Sequence, residues 1–201
     1  CESNRRFQDH AFSDSNILDA SNTTTNVWSV TASGSYAYSS PGFDTEIGTH
    51  LAVGRAGKCL PYDPGSETWS LKTISAVSSR EYRAGQRASM NAKKGWYYTT
   101  IAGVGNTMSG DLGDTGFGEW KDVVRFMDWL RQDMQASFYT AVKSYGPKMP
   151  FTDDGIAGVE LAIRASIGRG QAVGGIAATP EPTYVFPKAS SFTPTQKQTR
   201  K

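Results

Sequence analysis

The chain has 201 residues, 38% of them hydrophobic and 20% charged, and its 21 Lys and Arg against 19 Asp and Glu leave a net charge of +2. That composition supports a packed core in one large domain or a domain with an appendage, and it argues against a disordered chain and against a dedicated nucleic-acid binder, which would show a basic face or stripe. Two cysteines, Cys1 and Cys59, exclude a disulfide-dense scaffold and a four-cysteine zinc site.

A Cys1–Cys59 bridge stays open, with two free thiols the simpler expectation. No apolar run reaches the roughly 18–20 residues that span a bilayer, and no signal-peptide pattern opens the chain. A sequence that begins at Cys1 and closes on "QKQTRK" is expected to be a piece of a longer polypeptide.

Along the chain, Ser13–Asn26 is rich in Ser, Asn, Thr and Asp, whose side chains compete for backbone hydrogen bonds, and reads as loop. Val27–Tyr38, "VWSVTASGSYAY", carries β-branched and aromatic residues and predicts extended structure interrupted at Gly34. Thr45–Lys58 predicts a short helix opened by Asp44 or Thr45 and closing near Gly54–Gly57. Cys59–Trp69, with Pro61, Pro64 and Gly65, is a turn cluster.

Thr68–Val77 alternates in a way that suits a half-buried strand. Ser78–Gly95 predicts a polar helix capped by Ser78 or Ser79 and stopped by Gly95. Trp96–Val104 is the clearest strand, followed by a glycine-rich loop, Gly103–Gly118.

From Trp120 to Tyr145 the apolar residues Val123, Val124, Met127, Leu130, Met134, Phe138, Val142 and Tyr145 fall at steps of three and four, one helical stripe. Lys121, Asp122, Arg125, Asp128, Arg131, Gln132 and Asp133 make its polar face, and Gly146 and Pro147 its stop. Thr152 then caps a second helix whose expected buried stripe is Ile156, Val159, Ile163 and Ile167, with termination at Gly168 and close backbone passage at Gly174 and Gly175. The proline-rich "TPEPTYVFPKASSFTPTQ" predicts an extended course along a surface. The last fourteen residues, Lys188–Lys201, hold four basic residues and no acid, as a solvated tail would.

Two glycine motifs invite a nucleotide reading. In "AGVGNTMSG" the third glycine, Gly110, comes too late for G-x-G-x-x-G, and no G-K-[ST] follows. In "GRGQAVGG" the glycines follow a helix, where the negative end of the dipole repels phosphate. Asp111 and Asp114 suit a cation in type, but two acids without the EF-hand pattern read better as solvated loop acids. His10 and His50 are the only histidines and belong to no metalloprotease motif; a Cys59/His50 nucleophilic pair is formally open, a turn-flanking cysteine the simpler reading. The aromatics of "GWYYTT" lack interleaved Arg or Lys and look like strand core.

Five segments in order, "GKCLPYDPGSETW", "NAKKGWYYTTIAGV", "GEWKDVVRFMDWLRQDMQASFYTAV", "KMPFTDDGIAGVELAIRASIGRGQAVGGIA" and "YVFPKASSFTPTQKQTRK", resemble the tail sheath-like proteins of contractile-tailed bacteriophages over roughly residues 57–201. The resemblance implies an α+β fold, a mixed α/β sandwich whose sheet packs with long amphipathic helices behind a loop-rich N-terminal part. It implies residues 1–56 as the N-terminal part of the sheath domain, 57–186 as its core, and 187–201 as an extended segment leading to a linking arm absent from this sequence.

It also implies a structural role without catalytic, cofactor-binding or metal residues. The partners it implies are copies of the same chain in stacked hexameric rings, the tail tube protein, and baseplate and tail terminator proteins, with no direct nucleic-acid contact and no membrane insertion. The place implied is the virion tail, assembled in the host cytoplasm. Two alternatives stand beside it: a nucleotide-binding or hydrolytic enzyme using the Gly103–Gly118 loop, and another tail or baseplate protein.

Overall fold

In the computed structural model of the chain, residues 8–34, 38–45, 50–116 and 118–199 are described, the side chains of 8–10 and 197–199 excepted. The fold is α+β and divides into two compact units, Cys1–Arg125 and Phe126–Lys201.

The first unit is built on a four-stranded mixed sheet of order β1-β2-β3-β4, with β1 Gln8–Phe12, β2 Ser39–Phe43, β3 Trp96–Ile101 and β4 Val104–Ser109. β1 and β2 run parallel in register Gln8↔Ser39 to Phe12↔Phe43, β2 and β3 run parallel through Gly42↔Trp96, and β3 and β4 are antiparallel from Trp96↔Ser109 to Ile101↔Val104. The crossovers that parallel pairing requires carry α1 (Val27–Ser33), then α2 (Leu51–Cys59) and α3 (Ala84–Asn91).

β3 is one of the two interior strands, which explains the aromatic run in "WYYTT". Tyr97 joins Ile17, Trp28, Phe43 and Met90 in one buried cluster, while Trp96 and Tyr98 turn the other way to meet Leu51 and Ile74. Side chains alternate across a strand, so an unbroken apolar run marks a strand covered on both faces.

Several expectations are corrected. Val27–Tyr38 is not extended: α1 forms because Asn26 Oδ1 accepts the Ser29 N–H at 2.9 Å and Asp14 Oδ2 accepts the Val27 N–H at 2.8 Å. Two end donors satisfied by side chains, and a Trp28 with no exposed surface, outweigh a weak β propensity; residues 35–37 lie outside the described set. The strand material is instead Ser39–Phe43, despite Pro41 and Gly42. Gly42 is there because the Trp96 ring lies against it: a Cβ would stand 2.4 Å from Trp96 Cε2.

α2 begins at Leu51, past the expected caps at Asp44 and Thr45, and runs through Gly54 and Gly57. The polar helix is only Ala84–Asn91, where Gln86 Oε1 accepts the Arg83 N–H at 3.0 Å. Thr68–Val77 is no strand, although Leu71 donates to the Thr107 carbonyl at 2.6 Å and Thr107 to the Lys72 carbonyl at 3.0 Å, along the outer edge of β4. The glycine-rich loop loses its first half to β4. Ala102 and Gly103 have φ of 51° and 80°, both positive, as a two-residue turn must to match the strand twist.

The second unit holds the body of α4 (Lys121–Ser144), which begins in the first, then α5 (Asp153–Ala172) and a short α6 (Pro194–Thr199). Thr152 caps α5 as expected, its Oγ1 accepting the Gly155 N–H at 3.4 Å. α4 and α5 are stitched by Ser166 Oγ to Ser137 Oγ at 3.0 Å, by Arg169 to Asp133 at 2.7 Å, and by Tyr145 Oη to the Asp154 carbonyl at 3.2 Å.

The expected stripes do not fill the core. On α4, Phe126 and Leu130 are buried while Val123, Met127 and Phe138 are exposed; on α5 the buried positions are Gly155, Ser166 and Gly170, and Ile156, Val159, Ile163 and Ile167 are half-buried. α5 also continues past Gly168 to Ala172. Gly170 inside the helix and Gly175 beyond it make room for the Phe126 ring, where a Cβ would stand 3.2 Å and 2.2 Å away, whereas a Cβ at Gly168 would meet nothing within 4 Å. The turn comes at Gly174, φ 83°.

Candidate functional site

The densest polar chemistry lies in the first unit, around Arg55 of α2. Its guanidinium is fully buried and stacks against Trp96 at 4.4 Å and Trp69 at 5.2 Å from the ring centroids. Its nitrogens donate to Asp114 Oδ2, to Ser40 Oγ at 3.3 Å and to the Trp69 carbonyl at 3.3 Å.

Asp114 is 1% exposed, and its Oδ1 accepts the Lys121 N–H at 2.7 Å, so the carboxylate sits on the positive end of α4. Lys121, also buried, places its Nζ 3.8 Å from the Trp69 ring centroid. Beside it Glu67 Oε1 accepts from Trp69 Nε1 at 3.2 Å and from Arg125 Nη1. Arg125 also donates to the carbonyls of Leu60 at 3.2 Å and Tyr62 at 2.8 Å, beyond the C-terminal end of α2.

Three cations (Arg55, Lys121, Arg125) therefore stand among three carboxylates (Glu67, Asp114, Asp122). Burial pushes the Asp122 carboxyl above its ordinary pKa, with Asp114 and Glu67 adding to the push. The cluster joins α2, the Glu67–Trp69 turn, β2, β3 and the start of α4, and its donors and acceptors meet one another except at Glu67 Oε2, which is buried without a hydrogen-bond partner. Such a pair contributes little net stability, because desolvation offsets its attraction, but losing one partner is costly.

The residues singled out from sequence are distributed differently than expected. Asp114 is not a solvated loop acid. Asp111 is exposed, and its backbone N–H donates to the Asn91 carbonyl at 2.8 Å. The two acids do not converge, and among the described residues no group of three or more His, Cys, Asp or Glu is placed to hold a metal.

Cys59 is a buried free thiol, raised in pKa by its burial, with Arg55 partly opposing. His50 sits before the first residue of α2 and Cys59 is the last, nine helical residues or roughly 13 Å apart; they form no nucleophilic pair. Cys1 and the His10 side chain lie outside the described set. Lys121 and Arg125 leave the solvent-facing polar face assigned to them and turn inward.

Arg55 drew no attention in the sequence. The available signal was an arginine in a short helix ahead of the widely spaced Trp69 and Trp96, which tertiary contact alone brings together.

In the second unit an apolar groove of 550 Å³ runs between α4 and α5, lined by Ala136, Ser137, Thr140, Gly158, Leu161 and Ala162 among others. No helix of the described residues is long and apolar enough to cross a membrane.

No protein-family model matches the chain. No curated protein matches it either. Among solved structures it is similar to a chain of the cryo-EM structure of the anti-feeding prophage (AFP) baseplate, 6-fold symmetrised, at 17% identity and a TM-score of 0.58. The match covers 82% of this chain and 49% of that one, so the chain spans about half the length of its neighbour. At that identity the likeness shows a shared α+β fold.

Proposed function

We propose that this chain is a structural subunit of a phage tail or baseplate, and within that class a contractile tail sheath subunit. The single observation that carries the class is the fold shared with half of a prophage baseplate chain. The five ordered segments over residues 57–201 support the sheath in particular. In this reading copies polymerise as stacked hexameric rings around the tail tube protein, between baseplate and terminator. The work of contraction comes from rigid-body rearrangement between two packings, which drives the tube through the host envelope for DNA delivery. No active site, cofactor or nucleic-acid contact enters, and the place is the phage tail, assembled in the host cytoplasm.

Residues 1–56 and 57–186 then form one sheath domain, and 187–201 leads toward a linking arm. That the similar chain belongs to a baseplate favours a second reading inside the same class, a baseplate component.

Negative-stain imaging of the full-length protein tests the proposal. Tubes with a ring repeat are expected of a sheath, and closed rings without tubes would move the assignment to the baseplate. A dispersed monomer whose melting temperature rises with nucleotide would overturn both and favour a nucleotide site at the Gly103–Gly118 loop.

A further inference from the structure

The segment after α5 doubles back along that helix. Gln171 Nε2 donates to the Ala177 carbonyl at 3.4 Å, the Arg164 guanidinium lies 4.0 Å from the Tyr184 ring centroid, Asp153 Oδ1 accepts the Ala189 N–H at 2.7 Å, and Phe151 meets Phe192 edge-on at 4.9 Å. Taken in order, the contacts move down the helix as they move up the segment, so the two run antiparallel.

Between the middle two contacts the lengths match. Arg164 to Asp153 is eleven helical residues, about 16 Å at 1.5 Å each. Tyr184 to Ala189 is five residues, at most about 17–18 Å when fully extended. The span is taut. It is also one-sided: Pro182, Tyr184 and Phe186 are half-buried, while Glu181, Thr183, Val185 and Pro187 are exposed.

We propose that Tyr184–Phe192 is a strap that closes over one face of α5 and opens as a single unit, independently of the α4–α5 hairpin. Its fastenings are at the surface: the Arg164 side chain is 46% exposed and Phe151 43%, and Val185 between them is 89% exposed. An exposed cation over a half-buried ring, one edge-on aromatic pair and one exposed hydrogen bond are each modest, and they stand against the entropy of ordering the whole segment. Segments so held open by local unfolding far more readily than the core. The fastenings lie within one short run, so releasing one lengthens the unheld chain on which the next depends and makes the opening collective. Opening uncovers Phe151, Asp153 and Arg164 on the helix and frees Tyr184, Phe186 and Phe192. The inference rests on these contacts alone and stands apart from the assembly reading.

The Lys188–Ala189 bond offers a direct test, since the Ala189 N–H is itself a fastening. In the full chain, trypsin cleavage there and hydrogen exchange of residues 184–192 are followed in the wild type, Tyr184→Ala, Tyr184→Phe, Asp153→Ala and Phe192→Ala. Tyr184→Ala, Asp153→Ala and Phe192→Ala are each expected to speed cleavage about three- to tenfold with an unchanged melting temperature, whereas Tyr184→Phe keeps the ring and the wild-type rate. Asp153→Ala should also speed exchange at 184–187, the far end of the span. Phe192→Ala, off the helix, must reproduce that effect, which guards against fraying of α5. Cleavage that occurs only with global unfolding, or loosening confined to the residue next to each substitution, overturns the strap.

Discussion

Arg55 and Asp114, separated by 59 positions in the sequence, form an ion pair whose side chains are 0% and 1% exposed, beside the rings of Trp69 and Trp96. Removing one partner strands the other charge in a site that no longer compensates it. Asp114→Ala is expected to cost about 3–5 kcal/mol. Arg55→Met combined with Asp114→Leu should cost much less than the two single changes summed, since no uncompensated charge remains. Urea midpoints of the four proteins measure this, and strict additivity would refute it.

Asp122 supplies a pH test. Burial, then Asp114 and Glu67, hold its folded pKa above the ordinary 3.8, so the folded protein binds its proton more readily than the unfolded chain. Between those two pKa values stability falls as pH rises, and above the folded value the full penalty remains. Asp122→Asn removes it: the melting temperature should rise at pH 7, and the gain should shrink to nothing as the pH falls below 3.8. A gain that is constant with pH would contradict the sign.

Cys59 has no exposed surface, and burial raises its pKa. Both effects suppress thiolate chemistry. Iodoacetamide at pH 8 should label it only as fast as the first unit unfolds, with the rate climbing steeply in urea. Labelling in native buffer at the rate of a small-molecule thiol would show an access path to Cys59.

Gly175 leaves room for the Phe126 ring, where a Cβ would approach to 2.2 Å. Gly175→Ala is expected to destabilise by about 1–3 kcal/mol, as overpacking does. Pairing it with Phe126→Leu should recover part of the loss; a double-variant cycle with no coupling would place the cost elsewhere.

Ala102 holds φ 51° in the β3–β4 turn, a region that costs an alanine roughly 1–2 kcal/mol and suits Asn. Ala102→Asn, giving Asn-Gly ahead of β4, should raise stability by up to about 1 kcal/mol. A fall in melting temperature would speak against the mirror-image turn.

By itself the sequence determined the elements whose signals are local. Periodicity with Gly146 and Pro147 placed α4 to within a residue at each end; Thr152 with its two following acids started α5; and the "WYYTT" run marked an interior strand. Aromatic and β-branched content misplaced Val27–Ser33 although its cap, Asn26, stands next to it, while the second acceptor, Asp14, lies thirteen residues upstream of Val27 and the burial of Trp28 is a tertiary fact.

Glycine misled at Gly54, Gly57 and Gly168, each expected at a helix end and each lying inside a helix. A glycine ends a helix or opens a loop in isolation, but at Gly42, Gly170 and Gly175 its meaning is the large side chain lying against it, and that neighbour is remote in sequence. The charged cluster was invisible on the same grounds. A charge reads as solvated until its partner and its covering rings are known, and Arg55, Trp69, Trp96 and Asp114 meet only when α2, β3 and the loop before α4 converge. Secondary structure here followed short-range chemistry; which polar groups are buried was decided by the tertiary fold, because desolvation and pairing depend on what surrounds a side chain in space.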